Sequence, residues 1–433
     1  MCKENLMGAT AVVGGQWGDE GKGKIIDLLA ESSDLVVRYS GGNNAGHTVI
    51  NDLGEFWLHV VPAGIFNPNT LCIIGNGVAL DPEILLSELD QLEKSGIDVT
   101  HLLISDRAHI VFPFHRILDE LEESRLLNNA IGTTKRGIGP TFIDKTARRG
   151  IRMGDLLDSE NFKNKVELML EYVNLTLIKI YDHDPIKIED VLKLANIWEK
   201  RLKGSITQTE LIINAALNDD KEVLLEGAQG ALLDLDFGTY PYVTSSHPGA
   251  GGAYQGAGIG PIRIDRIVGV FKAYCTRVGA GPFPTELHDQ HGDKIRDIAR
   301  EFGTTTGRPR RIGWFDAPMA RLSNLTNGYS SIILTRLDVL DTMEFIDVCT
   351  GYRLDDRVVE FPPSQDYQLQ KCEPIYERLD GWLEETTSVR HFQDLPENAK
   401  IYIHRIEKLI GVPVSLLSVG PKRDENIIVK PAL

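Results

Sequence analysis

The segment Gly14–Lys24, GGQWGDEGKGK, constrains the fold more than any other part of the chain. It follows the apolar run Ala11–Val13 and precedes Ile25–Ala30, which has the pattern of an amphipathic helix. A strand, a glycine loop, a lysine and a helix in this order are typical of a phosphate-binding loop, because backbone N–H groups, a helix N-terminus and Lys22 all attract an anion. A solvent-facing glycine turn is the alternative, but it does not explain this order.

The loop differs from the standard GxxxxGK(S/T) sequence in two ways. Five residues rather than four separate Gly15 from Gly21, and Gly23 stands where a Ser or Thr would hold Mg²⁺. The loop also contains Asp19 and Glu20, whose carboxylates would repel a polyphosphate. An acid at such a position is expected to bind a cation or to transfer a proton.

Further glycine loops follow other predicted strands. Ser40–Thr48 follows the apolar run Leu35–Arg38, and Glu226–Gly230 follows Val223–Leu225. In a parallel sheet such loops gather at the carboxyl edge, where ligands bind. We therefore expect His47 to face the same crevice as Asp19, although His47 could instead cap a turn.

Two positively charged stretches stand out in a chain whose net charge is −16. Ile131–Pro140 and Lys145–Arg152 suit a phosphate monoester, or else form a solvated basic face. Thr304–Arg311 combines hydroxyls and guanidiniums, which predicts a carboxylate or phosphate clamp; the alternative is an exposed loop.

Asp338 lies after the apolar run Ser331–Leu334. An aspartate at the end of such a strand resembles the guanine reader of GTP-binding proteins, although Asp338 could instead cap the following helix. The turn Ser418–Pro421 after the last strand could also approach a base.

The remaining sequence bounds the class of protein. A length of 433 residues with this alternation of strands and helices predicts one α/β domain over residues 1–433, with a helical insertion at about 155–220. The stretch Gly249–Gly260 predicts a packed turn rather than a flexible linker. The acidic charge argues against nucleic acid or a membrane as partner, and five widely spaced cysteines without a CxxC indicate neither a disulfide framework nor a zinc site. We expect a cytoplasmic protein, because no apolar run approaches the length of a membrane span and the N-terminal residues do not resemble a signal peptide.

Together these motifs identify a family. Gly18–Lys24, Gly41–His47, Ile131–Pro140, Glu226–Gly230, Tyr240–Ser246 and Thr304–Arg308 resemble those of adenylosuccinate synthetases, and the resemblance runs from about residue 9 to 425. It implies a large, mostly parallel sheet related to that of P-loop GTPases, in a homodimer. It also implies a carbon–nitrogen ligase that joins IMP and L-aspartate with GTP, through 6-phosphoryl-IMP, in the first committed step of AMP synthesis from IMP.

The resemblance implies specific roles. Asp19 takes the N1 proton of IMP, His47 is the general acid, and Lys22 and Arg310 stabilise the transferring phosphoryl group. One Mg²⁺ ion per subunit is bound by Asp19 and the Gly46 carbonyl.

The implied binding residues fall into three sets. GTP would contact Gly18, Asp19, Glu20, Gly21, Lys22, Gly23, Lys24, Gly46, His47, Thr48, Arg310, Arg336, Leu337, Asp338, Ser418, Val419 and Gly420. IMP would contact Asp19, Glu20, Gly21, Lys22, Asn44, Ala45, Gly46, His47, Thr134, Gln229, Thr244 and Arg308, together with Arg148 lent by the partner subunit. L-Aspartate would contact Thr304, Thr305, Thr306, Gly307 and Arg308.

Two positions depart from the family pattern: many relatives have Lys at Arg336 and Thr at Val419. Two other functions are considered. One is a regulatory GTP-binding switch and the other is a phosphotransferase that phosphorylates a nucleotide and stops. Both leave the Thr304–Arg311 clamp unexplained.

Overall fold

The structure, a computed structural model, describes residues 8–127, 130–302 and 309–430. Its strands are β1 Ala9–Gly14, β2 Leu35–Arg38, β3 Gly41–Gly42, β4 His47–Asn51, β5 Gly54–Leu58, β6 Leu71–Ile74, β7 Val78–Leu80, β8 Leu102–Ser105, β9 His109–Ile110, β10 Ile206–Thr207, β11 Val223–Glu226, β12 Ile264–Lys272, β13 Cys275–Arg277, β14 Arg311–Gly313, β15 Phe315–Asp316, β16 Ser331–Thr335, β17 Phe345–Leu354, β18 Arg357–Val359, β19 Glu373–Asp380, β20 Val414–Ser418 and β21 Asn426–Ile428.

Helices cover and connect these strands. The α-helices are α1 Lys22–Ala30, α2 Pro82–Lys94, α3 Pro113–Arg125, α4 Ile138–Thr146, α5 Ser159–Tyr181, α6 Ile188–Leu202, α7 Thr209–Asn218, α8 Ala250–Ala257, α9 Gln290–Ala299, α10 Ala317–Asn327, α11 Asp366–Leu369 and α12 Glu397–Ile410. Short 3-10 helices include Ala63–Phe66, Met153–Leu157, Ala231–Leu233, Pro261–Arg263, Leu337–Leu340 and Phe392–Asp394. Within the described ranges, no helix is long and apolar enough to cross a membrane.

Ten strands form the central sheet in the order β10-β8-β6-β2-β11-β1-β12-β16-β20-β21. Every neighbouring pair from β10 to β20 is parallel, and only β21 pairs antiparallel with β20. All six residues of β1 are buried, as expected for a strand with parallel neighbours on both edges and helices on both faces. The predicted mostly parallel α/β fold is confirmed.

The core lies on both faces of this sheet, because successive residues of a strand point to opposite sides. Val12 belongs to a cluster that contains apolar side chains of α1, α2, α5 and α6. Its neighbour Ala11 packs with α7 and α8 instead.

Local sequence signals set several helix ends. Asp81 caps α2 by accepting hydrogen bonds from the N–H groups of Glu83 and Ile84, and Pro82 occupies the first turn. The carboxylate of Asp158 caps α5 in the same way, by accepting from the N–H of Asn161.

Two segments differ from their predicted form. The helical segment that covers residues 155–220 also contains β10, which extends the central sheet beside β8. The stretch Gly249–Gly260 is not a turn, because it forms helix α8. A side chain on Gly256 would lie 1.9 Å from the carbonyl oxygen of Tyr39, so the glycine allows α8 to pack directly on the backbone that follows β2.

Candidate active site

Six adjacent parallel strands bring the predicted glycine loops together. In spatial order β2, β11, β1, β12, β16 and β20 lie side by side, so the loops that follow them share one edge of the sheet. The loops after β2, β11, β1, β16 and β20 contain residues that the sequence analysis had selected. A parallel sheet binds ligands at this edge, which makes it the candidate active site.

The Glu20 side chain is buried within the loop after β1 and binds its backbone. The Glu20 side chain is fully buried, and its Oε1 accepts hydrogen bonds from the N–H groups of Gln16 at 3.0 Å and Gly18 at 2.9 Å. Its Oε2 lies 2.6 Å from Nζ of Lys22. Glu20 therefore shapes the loop and pairs with its lysine. The sequence predicted Glu20 as a nucleotide contact and as an acid for a cation or a proton, and its role within the loop was not foreseen.

The backbone of this loop turns through left-handed conformations. Gly18, Asp19 and Gly21 have φ of 89°, 59° and 86°, and α1 begins directly afterwards at Lys22. A left-handed φ is unfavourable for a residue other than glycine, so Asp19 occupies a strained position. Such strain is common where a side chain must be presented to a ligand.

His47 packs directly on the phosphate loop. A Cβ atom added to Gly23 would lie 2.8 Å from Cδ2 of His47, so Gly23 leaves the space that the imidazole needs. Burial, with the nearby Arg38 and Lys22 charges, holds the pKa of His47 well below its usual range. The imidazole is therefore neutral at pH 7, and its Nε2 lies 3.9 Å from the buried carboxylate of Glu226.

Arg310 reaches Asp19 from a distant part of the chain. Its Nε lies 2.9 Å from Oδ2 of Asp19, which gives an ion pair. The N–H is not aimed at the carboxylate, however, and Nε has no hydrogen-bond partner within the described residues. Asp19, Lys22, His47 and Arg310, predicted from three separate segments, thus border one loop.

The predicted IMP residues are brought together in part. Nε2 of Gln229 donates a hydrogen bond of 2.9 Å to Oδ1 of Asn44, which joins the loops after β11 and β2. Thr244 is half-buried, and its N–H donates a hydrogen bond to the carbonyl oxygen of Leu233. Thr134 and Arg148 are exposed, and in the described part of the chain neither side chain has a hydrogen bond to the other predicted site residues.

The predicted guanine pocket lies at the ends of β16 and β20. Asp338 belongs to the short helix Leu337–Leu340, whose N-terminal cap is Arg336, so Asp338 does not serve as the cap. Burial raises the pKa of Asp338 to about 6. Nζ of Lys24 donates to Oγ of Ser418 and to the carbonyl oxygen of Gly420, each at 2.7 Å, and so connects α1 to this pocket.

The Lys24 amine is largely buried by these contacts. Burial lowers its pKa to about 8, although Glu425 and Asp338 act in the opposite direction. Leu337 and Val419 are fully buried at this pocket. The predicted aspartate-binding residues Thr304, Thr305, Thr306, Gly307 and Arg308 lie outside the described residues.

Several predicted side chains carry a buried polar atom without a partner. Within the described ranges these atoms include His47 Nε2, Gln229 Oε1, Arg310 Nε and Asp338 Oδ1. Buried polar atoms in folded proteins are nearly always hydrogen-bonded. Atoms left unpaired in four separate elements along one sheet edge indicate a place prepared for polar ligands.

Comparison with known proteins decides the family. The family model described as Adenylosuccinate synthetase matches residues 11–427, which is nearly the whole chain. The chain belongs to the adenylosuccinate synthetase family. The adenylosuccinate synthetase of Dehalococcoides mccartyi is 53% identical over 421 residues, which cover 97% of this chain and 100% of that protein. The corresponding protein of Halothermothrix orenii is 51% identical, over 97% of this chain and 98% of that protein.

Solved structures agree with this family. The structure of a fully ligated adenylosuccinate synthetase from Plasmodium falciparum matches with a TM-score of 0.92 at 40% identity, over 97% of this chain and 99% of that one. A cyanophage S-2L succinoaminodeoxyadenylate synthetase matches with a TM-score of 0.61 at 20% identity, over 98% and 96% of the two chains, which shows a shared fold only.

These matches confirm the predicted family, its fold class and its enzyme class. The chain is a GTP-dependent carbon–nitrogen ligase of purine biosynthesis that joins IMP and L-aspartate to form adenylosuccinate. The individual site residues and the phosphorylated intermediate remain predictions.

Residues outside the predicted site complete the synthetase crevice. Lys272 and Glu301 are buried behind Arg310, and Glu226 lies behind His47. The signal for Lys272 was present in the sequence, since a lysine at the end of the apolar run Ile267–Phe271 needs a buried partner. That partner, Glu301, is distant in sequence, so no spacing rule could have found it.

The crevice offers donors that fit a magnesium ion. The carboxylate of Asp19 is partly exposed beside the phosphate loop, and Mg²⁺ prefers carboxylate, carbonyl and phosphate oxygens. Elsewhere in the described chain, Asp234, Asp236 and His247 have ligand atoms within 4.8 Å of one another. An imidazole nitrogen is a softer donor than Mg²⁺ prefers, so this second group does not replace Asp19.

Proposed function

We propose that the ligation proceeds in two steps at this crevice, through 6-phosphoryl-IMP. The C6 oxygen of hypoxanthine is a poor leaving group, and phosphorylation makes it a good one. In the first step the C6 oxygen attacks the γ-phosphate of GTP, and in the second the amine of L-aspartate displaces phosphate at C6.

Asp19 is the proposed general base, which removes the proton from N1 of IMP so that negative charge develops on the C6 oxygen. The position of Asp19 supports this assignment, because its partly exposed carboxylate lies beside the phosphate loop, where it can reach a ligand. Nε of Arg310 has no hydrogen-bond partner in the described ranges, and we assign its N–H to the charge that develops on the phosphoryl group.

His47 is the proposed hydrogen-bond donor to the transferring phosphoryl group and the general acid. Burial disfavours the imidazolium, but a polyphosphate beside Nε2 would offset that cost and favour protonation. Lys22 would exchange its contact with Glu20 for the β- and γ-phosphates of GTP, with the N–H groups of the loop from Gly18 to Gly23 beside it.

The two nucleotides are assigned to opposite halves of the crevice. IMP lies against Asn44, Ala45, Gln229, Thr244 and Thr134, whereas guanine lies against Arg336, Leu337, Asp338, Ser418, Val419 and Gly420. Both oxygens of an ionised Asp338 can accept from the guanine ring N–H and exocyclic amine, and adenine offers no such pair of donors. L-Aspartate is assigned to residues 304–308.

Asp19 and the Gly46 carbonyl would hold one Mg²⁺ ion, which when bound neutralises charge on the phosphates. A homodimer is part of the proposal, with Arg148 reaching the IMP phosphate of the partner. The exposure of Arg148 supports a role directed away from its own subunit. We also propose a cytoplasmic location, since the described cysteines are free thiols.

The proposal depends most on the convergence of Asp19, Lys22, His47 and Arg310 around one loop. It is tested by following the ultraviolet absorbance of IMP in the presence of GTP, Mg²⁺ and L-aspartate. We expect product only when all four components are present, and rapid transfer of ¹⁸O from C6 of labelled IMP into phosphate. GTP turnover that is indifferent to IMP would instead indicate a GTP-binding switch, and a stable phosphorylated nucleotide would indicate a phosphotransferase.

A further inference from the structure

A buried charge network lies behind Arg310 and has no part in the proposed reaction. Glu301 is fully buried, and its Oε1 accepts hydrogen bonds from Nζ of Lys272 at 2.6 Å and from the hydroxyl of Tyr274 at 2.7 Å. Its Oε2 accepts from Nη1 of Arg310. Lys272 and Tyr274 are no more than 1% exposed.

Such a network is costly unless every charge is paired. Removing a carboxylate from water costs several kcal/mol, and attraction to its paired charges must offset a cost of that size. Burial by itself would raise the pKa of Glu301, but Lys272, Arg310 and Arg336 lower it to about 2. Glu301 is therefore a permanent anion at neutral pH, and it stands in an alternating row of charges: Lys272, Glu301, Arg310 and Asp19.

Glu301 also holds the backbone of Arg310. The N–H of Arg310 donates to the carbonyl oxygen of Glu301 at 2.9 Å. The Arg310 carbonyl accepts from Nε of Arg296 at 3.0 Å. These contacts hold the main chain and Nη1 of Arg310 and leave Nε 2.9 Å from Oδ2 of Asp19, where Nε has no hydrogen-bond partner among the residues that the structure describes.

We propose that Glu301 is a positioning residue for phosphoryl transfer, which orients Arg310 between Asp19 and the γ-phosphate of GTP while Lys272 neutralises the buried carboxylate. This inference rests on the proposed function. Without Glu301, Arg310 would be free to turn fully onto Asp19, which would block the base and withdraw the N–H needed at the phosphoryl group.

A double-mutant cycle tests this coupling. The variants are Glu301→Gln, Arg310→Leu and the two combined. We expect Glu301→Gln to lower kcat by about 10- to 10²-fold while KM for IMP changes by less than about 3-fold, because the loss is confined to the transition state. In the Arg310→Leu background the same change should have almost no further effect. Additive losses would overturn the proposal.

Controls separate positioning from damage to the fold. Glu301→Gln leaves Lys272 without its counter-charge, so Lys272→Met with Glu301→Gln provides a second variant in which both charges are removed. It should show the same fall in kcat and a thermal unfolding midpoint close to that of the wild type. Asp347→Asn, which removes a carboxylate paired with Arg378 in another sheet, should leave kcat unchanged.

A second measurement does not depend on activity. The rate at which phenylglyoxal modifies Arg310, followed by peptide mass spectrometry, should rise in Glu301→Gln and in the charge-free double variant. If the wild type makes no adenylosuccinate, the proposed function fails, and the modification rate still decides whether Glu301 fixes Arg310. An unchanged rate would overturn the positioning role, even in an active enzyme.

Discussion

Replacing Gly23 with alanine should separate activity from stability. Gly23 lies in the first turn of α1, and a Cβ atom there would lie 2.8 Å from Cδ2 and 3.0 Å from Cβ of His47. Unstrained carbon atoms approach to about 3.5 Å. The imidazole must therefore move by roughly 0.5 Å or more, since the helix backbone is fixed by its packing.

The two consequences have opposite signs. A misplacement of about 1 Å can cost on the order of 10²-fold in rate, so a shift of this size should lower kcat about 10-fold. In a helix, alanine is more favourable than glycine by up to about 1 kcal/mol, so Gly23→Ala should unfold at a similar or higher denaturant concentration. The assays are the steady-state rate of adenylosuccinate formation and equilibrium unfolding in urea.

Gly251→Ala is the matched control. Gly251 also lies in a helix, α8, and a Cβ atom added there meets nothing within 4 Å. We expect the same small gain in stability with no loss of rate. A fully active Gly23→Ala variant would show that the position of His47 does not matter and would refute the role assigned to its ring.

The other predictions concern the base, the acid, the guanine reader and the dimer. Asp19→Asn and His47→Asn should each lower kcat by about 10²-fold or more, as expected for a lost general base or acid; near-native rates in either would contradict the assigned role. Burial raises the pKa of Asp338 to about 6, so its carboxylate becomes protonated, and KM for GTP should rise, as the pH falls through that value. Asp338→Asn should have a high KM for GTP at every pH, and a pH dependence that persists in this variant would assign it to another group. Mixing Arg148→Leu and Arg310→Leu subunits should partly restore activity, because one site of each heterodimer would be intact; confirmed heterodimers without activity would place Arg148 in its own subunit's site.

Local sequence patterns were sufficient for much of the fold. The apolar runs before Gly14, Tyr39, Gly227 and Arg336 predicted buried parallel strands, and each became a strand of the central sheet. These predictions succeeded because a strand covered on both faces must be apolar throughout its length. The glycine loops could be assigned to the carboxyl edge because all strands of a parallel sheet end at the same edge.

The stretch Gly249–Gly260 shows where such reasoning failed. Its glycines suggested a turn, but Gly252 and Gly256 belong to helix α8, where a side chain would lie 1.9 Å from a backbone oxygen of His247 or Tyr39. Close approach of the helix to the backbone at His247 and Tyr39 favoured glycine there more strongly than helix propensity opposed it. The packing partner is absent from the local sequence, so the pattern alone was ambiguous.

The sequence by itself determined that this protein has a phosphate loop, which strands carry the site and which family the motifs resemble, because these depend on residues close together in the chain. Only the tertiary structure decided which way the acids point. Glu20 faces inward and pairs with Lys22, whereas its neighbour Asp19 pairs with Arg310, nearly three hundred residues away. Arg310 is in turn paired with Glu301, which is paired with Lys272. Desolvation makes each of these charges depend on partners brought together by folding, and that dependence cannot be read from sequence spacing.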